Sequence, residues 1–155
     1  MLQHSKRKVF VWLPAFFWMI FIFYLSHQPA TESSELSRGV TDVIIYLIEM
    51  VITPTKLDIG YFHFLIRKSA HFIAYFILGF LVMFALKGSK VNNVRAVVLT
   101  MTICILYAIS DEVHQLFIPG RSGELRDVII DSTGASVGLF VYFSMMKVKH
   151  WIIGT

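Results

Sequence analysis

The chain has 155 residues, 56% of them hydrophobic and only 15% charged, with a formal net charge of +4 and a mean hydropathy of +0.68. A soluble domain carries about 25% charged residues, so the composition excludes an ordinary water-soluble fold and points to one domain with lipid as part of its solvent. Cys104 is the only cysteine, which excludes an intramolecular disulfide and a cysteine-based metal site.

Lys6, Arg7 and Lys8 precede a charge-free stretch over residues 9–25. That order resembles a signal peptide, but the apolar stretch is long and no small-x-small cleavage pattern follows it. The reading is a retained transmembrane helix over about residues 9–26. Its aromatic residues suit lipid contact, and Pro14 can kink it. Residues 31–38 are polar and read as a loop or short helix. A fifth apolar piece, about residues 41–53, is too short to span. Asp42, Tyr46 and Glu49 form one polar stripe on it, Thr41 can cap it and Thr53-Pro54 ends it. It is expected to be an interfacial helix. Three further spans follow, over about residues 61–86, 96–118 and 127–146. A bilayer core of about 30 Å needs about 20 helical residues, which each of these supplies.

The basic residues orient these spans. Four spans place residues 1–8, 87–95 and 147–155 on one side, with eight basic residues and no acid. The other side and its helix ends hold the remaining six basic residues and all ten acids. Both termini are therefore expected in the cytoplasm. The expected fold is an all-α polytopic membrane protein of four transmembrane helices plus a short extracytoplasmic interfacial helix, as a single domain over residues 1–155. Because the excess basic residues serve topology, no nucleic-acid partner is expected.

Counting from the cytoplasmic anchors places the polar residues by height. His71 lies 16 residues before Lys87, Asp111 lies 16 after Arg95, and Asp131 lies 16 before Lys147. At 1.5 Å per residue all three stand about 24 Å from the inner anchors. Tyr75 and Tyr107 lie one layer deeper, and Lys68 and His114 one layer shallower. Glu112, Gln115 and Asp127 share the same outer zone. Each helix carries its polar residues three or four apart, so each forms one stripe. Ionisable groups at membrane depth cost several kcal/mol unless paired or hydrated, and turning the three stripes toward a common pocket meets that need. Gly134 and Gly138 allow the last helix to approach a neighbour closely. Pro119-Gly120-Arg121-Ser122-Gly123 and Arg126 place two arginines beside the N-terminus of the last helix, an arrangement suited to anions.

Arg67-Lys68-Ser69-Ala70-His71-Phe72 with Tyr75, Ser110-Asp111-Glu112-x-His114-Gln115-x-Phe117-x-Pro119-Gly120-Arg121, and Asp127, Asp131, Gly134 and Gly138 resemble the VanZ-like family of bacterial membrane proteins. Ser26-x-Gln28-Pro29 after the first helix fits the same pattern. The resemblance covers nearly the whole chain. It implies a multi-pass protein of the bacterial cytoplasmic membrane, associated with reduced susceptibility to teicoplanin-type glycopeptides. Some members carry Asn where this chain has Asp131.

The candidate catalytic residues are His71, Asp111, Glu112 and His114, and the candidate ligand-binding residues are Lys68, Tyr75, Gln115, Arg121, Arg126 and Asp131. Asp127 reads as a helix cap, and Asp131 as either half of a carboxylate pair or a partner of Lys68 or Arg67. No metal or cofactor is expected. Zinc at His71, His114 and Asp111 or Glu112 is the alternative, opposed by the absence of HExxH-type spacing and by competition from Lys68. The leading reading is a pocket that binds an anionic lipid or a lipid-linked envelope precursor. A membrane acid–base enzyme and a non-catalytic envelope factor, in which the polar cluster only staples helices, are the alternatives. Ser69 and Ser110 are the serines nearest the cluster in sequence.

Overall fold

The computed structural model describes residues 2–49 and 59–154. These form five helices: α1 (Leu2–Ser26), α2 (Ala30–Glu49), α3 (Ile59–Gly88), α4 (Asn93–Gln115) and α5 (Leu125–Ile153). No strand occurs among the described residues. Helices α3, α4 and α5 are each long and apolar enough to cross a membrane, and α1 with α2 supplies a fourth crossing if the bent pair is one span. The chain is an all-helical, multi-pass membrane protein.

Helix α1 runs unbroken through Pro14. Its aromatic residues divide by face. Phe16, Phe17, Phe21 and Phe23 point outward, while two others use their polar ends to dock the helix. Trp18 Nε1 donates to the Ala74 carbonyl (2.8 Å), and Trp12 Nε1 donates to Ser89 Oγ (3.3 Å). Tyr107 of α4 donates in turn to the Met19 carbonyl (2.6 Å). Buried indole and phenol groups need such partners, because lipid offers none.

The chain then turns by 102° into α2. Residues 31–38, read as a loop or short helix, are helical, and the expectation of a separate helix capped at Thr41 is corrected. One helix begins directly after Pro29, whose carbonyl accepts from the Ser33 N–H (3.0 Å). Proline suits a helix start, and Glu32 in the first turn favours the positive end of the helix dipole. The expected end of the interfacial helix at residues 50–53 lies outside the described residues.

Close packing of α3 against α5 forms the centre. A Cβ on Gly134 would meet the Phe72 carbonyl, one on Gly138 the Phe76 carbonyl, and one on Gly79 the backbone of Ala135. The small residues therefore set the distance between the two helices. Tyr75, Leu78, Val82, Met83, Ala108 and Ala135 fill the interior. The α3–α4 turn begins where expected, with Gly88 as the last residue of α3. The left-handed residue is Lys90 (φ 64°). Asn92 caps α4 by accepting from the Arg95 N–H (3.1 Å). Helix α4 stops at Gln115, three residues before the expected end at residue 118, and Gly120 (φ 74°) turns the chain toward α5.

Candidate functional site

The C-terminal ends of α1 and α4 and the N-terminal ends of α3 and α5 meet at one end of the bundle. The three groups that counting puts at one height converge there. His71, Asp111 and Asp131, together with Glu112, each present an atom within 4.8 Å of the others. Asp131 is fully buried, Asp111 and Glu112 are buried, and His71 is partly buried. His71 Nδ1 stands 3.5 Å from Asp131 Oδ1, and neither oxygen of Asp131 has a hydrogen bond. The expected partners of Asp131, Lys68 or Arg67, are thereby corrected to His71.

A hydrogen-bonded chain crosses three helices at this level. Ser26 Oγ of α1 donates to Asp111 Oδ2 (2.9 Å). Gln115 Nε2 donates to the same oxygen (3.3 Å) and reaches Glu112 Oε1 (3.5 Å). Glu112 Oε2 accepts from the backbone N–H of Glu124, at the start of α5 (2.7 Å). That N–H is therefore engaged within the protein. Tyr75 and Tyr107 meet one layer below, with ring centroids 6.1 Å apart.

Several expected members stand elsewhere. Lys68 Nζ pairs with Asp127 (2.5 Å) and Glu124 (3.2 Å). Asp127 is thus the buried partner of a lysine in the first turn of α5, which corrects its reading as the helix cap. Glu124 holds the cap position without a side-chain hydrogen bond. His114 Nε2 lies 3.1 Å from His27 Nδ1, with the two rings stacked beside Phe23. The group that converges with His71 holds Asp131 where the zinc alternative had His114. Arg126 is exposed, its guanidinium 5.5 Å from the Phe64 ring centre. Ser69 and Ser110 are both exposed, and Ser110 Oγ donates to the Tyr107 carbonyl (2.8 Å).

Beside the cluster lies a cavity of about 170 Å³, lined by Arg67, Arg121, His71, Asp111, Tyr75 and Ser26 and by the apolar Ile22, Leu25, Ala70 and Ala74. Arg121 Nη2 donates to the Leu25 carbonyl (3.3 Å), while its Nε is buried without a partner. Neither Arg67 nor Arg121 forms an ion pair among the described residues. Burial, and then repulsion from Arg67, pulls the Arg121 guanidinium below the usual arginine range. The Ala30 N–H donates to the Pro119 carbonyl (3.2 Å), tying the α1–α2 corner to the turn that carries Arg121.

Arg67, Ser26 and His27 are the residues that site reasoning from sequence passes over. Arg67 precedes His71 by four positions and so shares its face. Ser26 belongs to the Ser-x-Gln-Pro segment. No local signal marks His27, whose partner lies 87 residues away.

Fold and site together define a class: a multi-pass helical membrane protein with a buried histidine–carboxylate cluster beside an arginine-lined cavity. The VanZ/LLP1 family model matches residues 11–147, and the chain belongs to that family. No curated protein and no solved structure matches it.

Proposed function

We propose that this VanZ-family protein crosses the bacterial cytoplasmic membrane four times with both termini inside. In this reading it binds the anionic head group of a lipid or lipid-linked envelope precursor at the outer leaflet, which would underlie a role in glycopeptide susceptibility. The observation that carries the reading is the cavity, where two guanidiniums without ion-pair partners among the described residues face apolar walls. Arginine grips phosphate or carboxylate through paired N–H donors, and the apolar lining suits the first carbons of a chain. At about 170 Å³ the space is smaller than the roughly 300–1,000 Å³ of pockets that enclose a whole drug-sized ligand. It matches a head group whose tails remain in the bilayer. The 102° corner supports the topology, since a helix crossing α1 nearly at right angles lies along the membrane surface.

The stapling alternative explains the Ser26–Asp111–Gln115–Glu112 chain but not the two unpaired arginines. Acid–base chemistry is favoured by one observation: His71 and Asp111 both face the cavity. Turnover of a lipid substrate by purified protein separates that reading from binding alone.

Native mass spectrometry of protein released from mixed phosphatidylglycerol–phosphatidylcholine nanodiscs tests the binding. Preferential retention of the anionic lipid is expected, and Arg67→Ala or Arg121→Ala is expected to weaken it about 10-fold or more, since charged hydrogen bonds contribute about 1.5–3 kcal/mol. Equal retention of both lipids, unchanged by either substitution, would sink the reading. In cells, the same variants should lose any effect on glycopeptide susceptibility at normal membrane abundance.

A further inference from the structure

Three carboxylates and an imidazole converge where a cation would fit. One atom from each of His71, Asp111, Glu112 and Asp131 lies within 4.8 Å of the other three. Around a tetrahedral divalent ion with bonds of about 2.0–2.2 Å, ligand atoms stand about 3.3–3.6 Å apart. From the 4.8 Å limit the side chains would draw together by up to about 1.5 Å on binding.

Within the cluster only His71 can balance the three carboxylates, and it stands 3.5 Å from Asp131. Lys68 is engaged by Asp127 and Glu124, and Arg121 donates to the Leu25 carbonyl. Grouped buried carboxylates without compensation are costly. Hydrogen bonds from outside the cluster hold Asp111 by one oxygen and Glu112 by both. Asp111 Oδ2 takes Ser26 and Gln115, while Oδ1 has no partner. Glu112 Oε2 takes the Glu124 N–H, and Oε1 a longer contact from Gln115 Nε2. Asp131 keeps both oxygens unbonded. Carboxylates fixed in this way are pre-oriented for a metal, as outer hydrogen bonds orient ligands in known sites.

A side chain outside the cluster points the same way. The Tyr75 hydroxyl is fully buried, lines the cavity with His71 and Asp111, and has no hydrogen-bond partner. A water or anion bound to an ion at the cluster would supply one.

We propose that His71, Asp111, Glu112 and Asp131 bind one divalent first-row cation, Mn2+ or Zn2+, with a coordination position open toward the cavity. One imidazole nitrogen argues against Ca2+ and Mg2+, which take oxygen ligands, and the absence of thiolates argues against soft ions. The site differs from the zinc alternative raised by sequence, because Asp131 takes the place of His114. It stands apart from the head-group reading, since metal content is measured without lipid substrate.

The test strips the purified full-length protein with chelator, equilibrates it with Mn2+ or Zn2+ alone, desalts it and counts metal by elemental mass spectrometry, with melting followed in parallel. One ion per chain and a raised melting temperature are expected. Asp131→Asn should lose the ion. Asp127→Asn, whose carboxylate faces Lys68, should keep it, as should the double variant His27→Ala/His114→Ala, which removes the stacked imidazole pair. The Mn2+-loaded wild type should show nitrogen hyperfine coupling from a bound imidazole, a readout that needs no substitution among the acids. An absence of stoichiometric metal in folded protein, an ion kept by Asp131→Asn, an ion lost from the double histidine variant, or absent nitrogen coupling overturns the proposal.

Discussion

Lys68 shows how a single residue's role depends on which carboxylate reaches it. Its ammonium is largely buried and lies against Asp127, which is nearly inaccessible, and against the half-exposed Glu124. The pair ties α3 to the start of α5. Removing one member of such a pair strands the other charge away from water, which costs about 3–5 kcal/mol. Lys68→Met should therefore lower stability by about that amount in chemical denaturation of the detergent-solubilised protein. Adding Asp127→Leu should recover much of the loss, because the stranded charge goes with it. If Lys68→Met melts like the wild type, the pair contributes nothing to the fold. Arg67, one position earlier, lines the cavity instead. Adjacent helical positions point about 100° apart, so neighbouring basic residues here do different things.

At the scale of elements, the α3–α5 contact sets the site, because it places His71 opposite Asp131. Gly134 and Gly138 bring the α5 backbone against the carbonyls of Phe72 and Phe76, and His71 precedes Phe72 by one residue. Gly138→Leu should push the helices apart, since the added atoms meet rigid backbone rather than a mobile side chain. Overpacking of this kind costs about 1–3 kcal/mol or more. Reduced membrane abundance and a lower melting temperature are expected for Gly138→Leu. Gly39 in α2 provides the contrast, because a Cβ there meets nothing within 4 Å. Gly39→Ala should be neutral or stabilise the helix by up to about 1 kcal/mol. Equal behaviour of the two variants in a thermal-shift assay would show that close packing of α3 on α5 does not limit stability. Helix α2 also shows where sequence patterning falls short. Its polar first half offers no apolar stripe, and its start is marked by Pro29 and by the tie from Ala30 to Pro119. Neither is a periodic signal.

For the whole molecule, the distribution of charge makes a prediction about sidedness. Cys104 is free and fully buried, so it provides a silent background for introduced cysteines. A membrane-impermeant maleimide added to intact cells should label Ser122→Cys in the α4–α5 turn and spare Lys90→Cys in the α3–α4 turn until the membrane is opened. The reverse pattern would overturn the proposed orientation. Much of the architecture was legible without coordinates. Lipid as solvent forces backbone polar groups into helices, and the length of each apolar run sets where a span begins and ends. The shared level of His71, Asp111 and Asp131 was also legible, because helical rise converts sequence distance directly into distance along the helix. What the sequence could not supply was rotation and partner choice. His114 and Glu112 lie two positions apart on one helix, yet one stacks on His27 and the other joins the carboxylates. Lys68 takes Asp127 rather than Asp131, and Ser26 reaches Asp111 across 85 residues of chain. Sequence alone determined the class of fold, the common level of His71, Asp111 and Asp131 along their helices and the asymmetry of charge, because these follow from helical rise and the cost of burying polar groups in lipid. Only the tertiary structure decided which side chains share that layer, because helix rotation and the separation of α3 from α5 come from contacts between residues far apart in the chain.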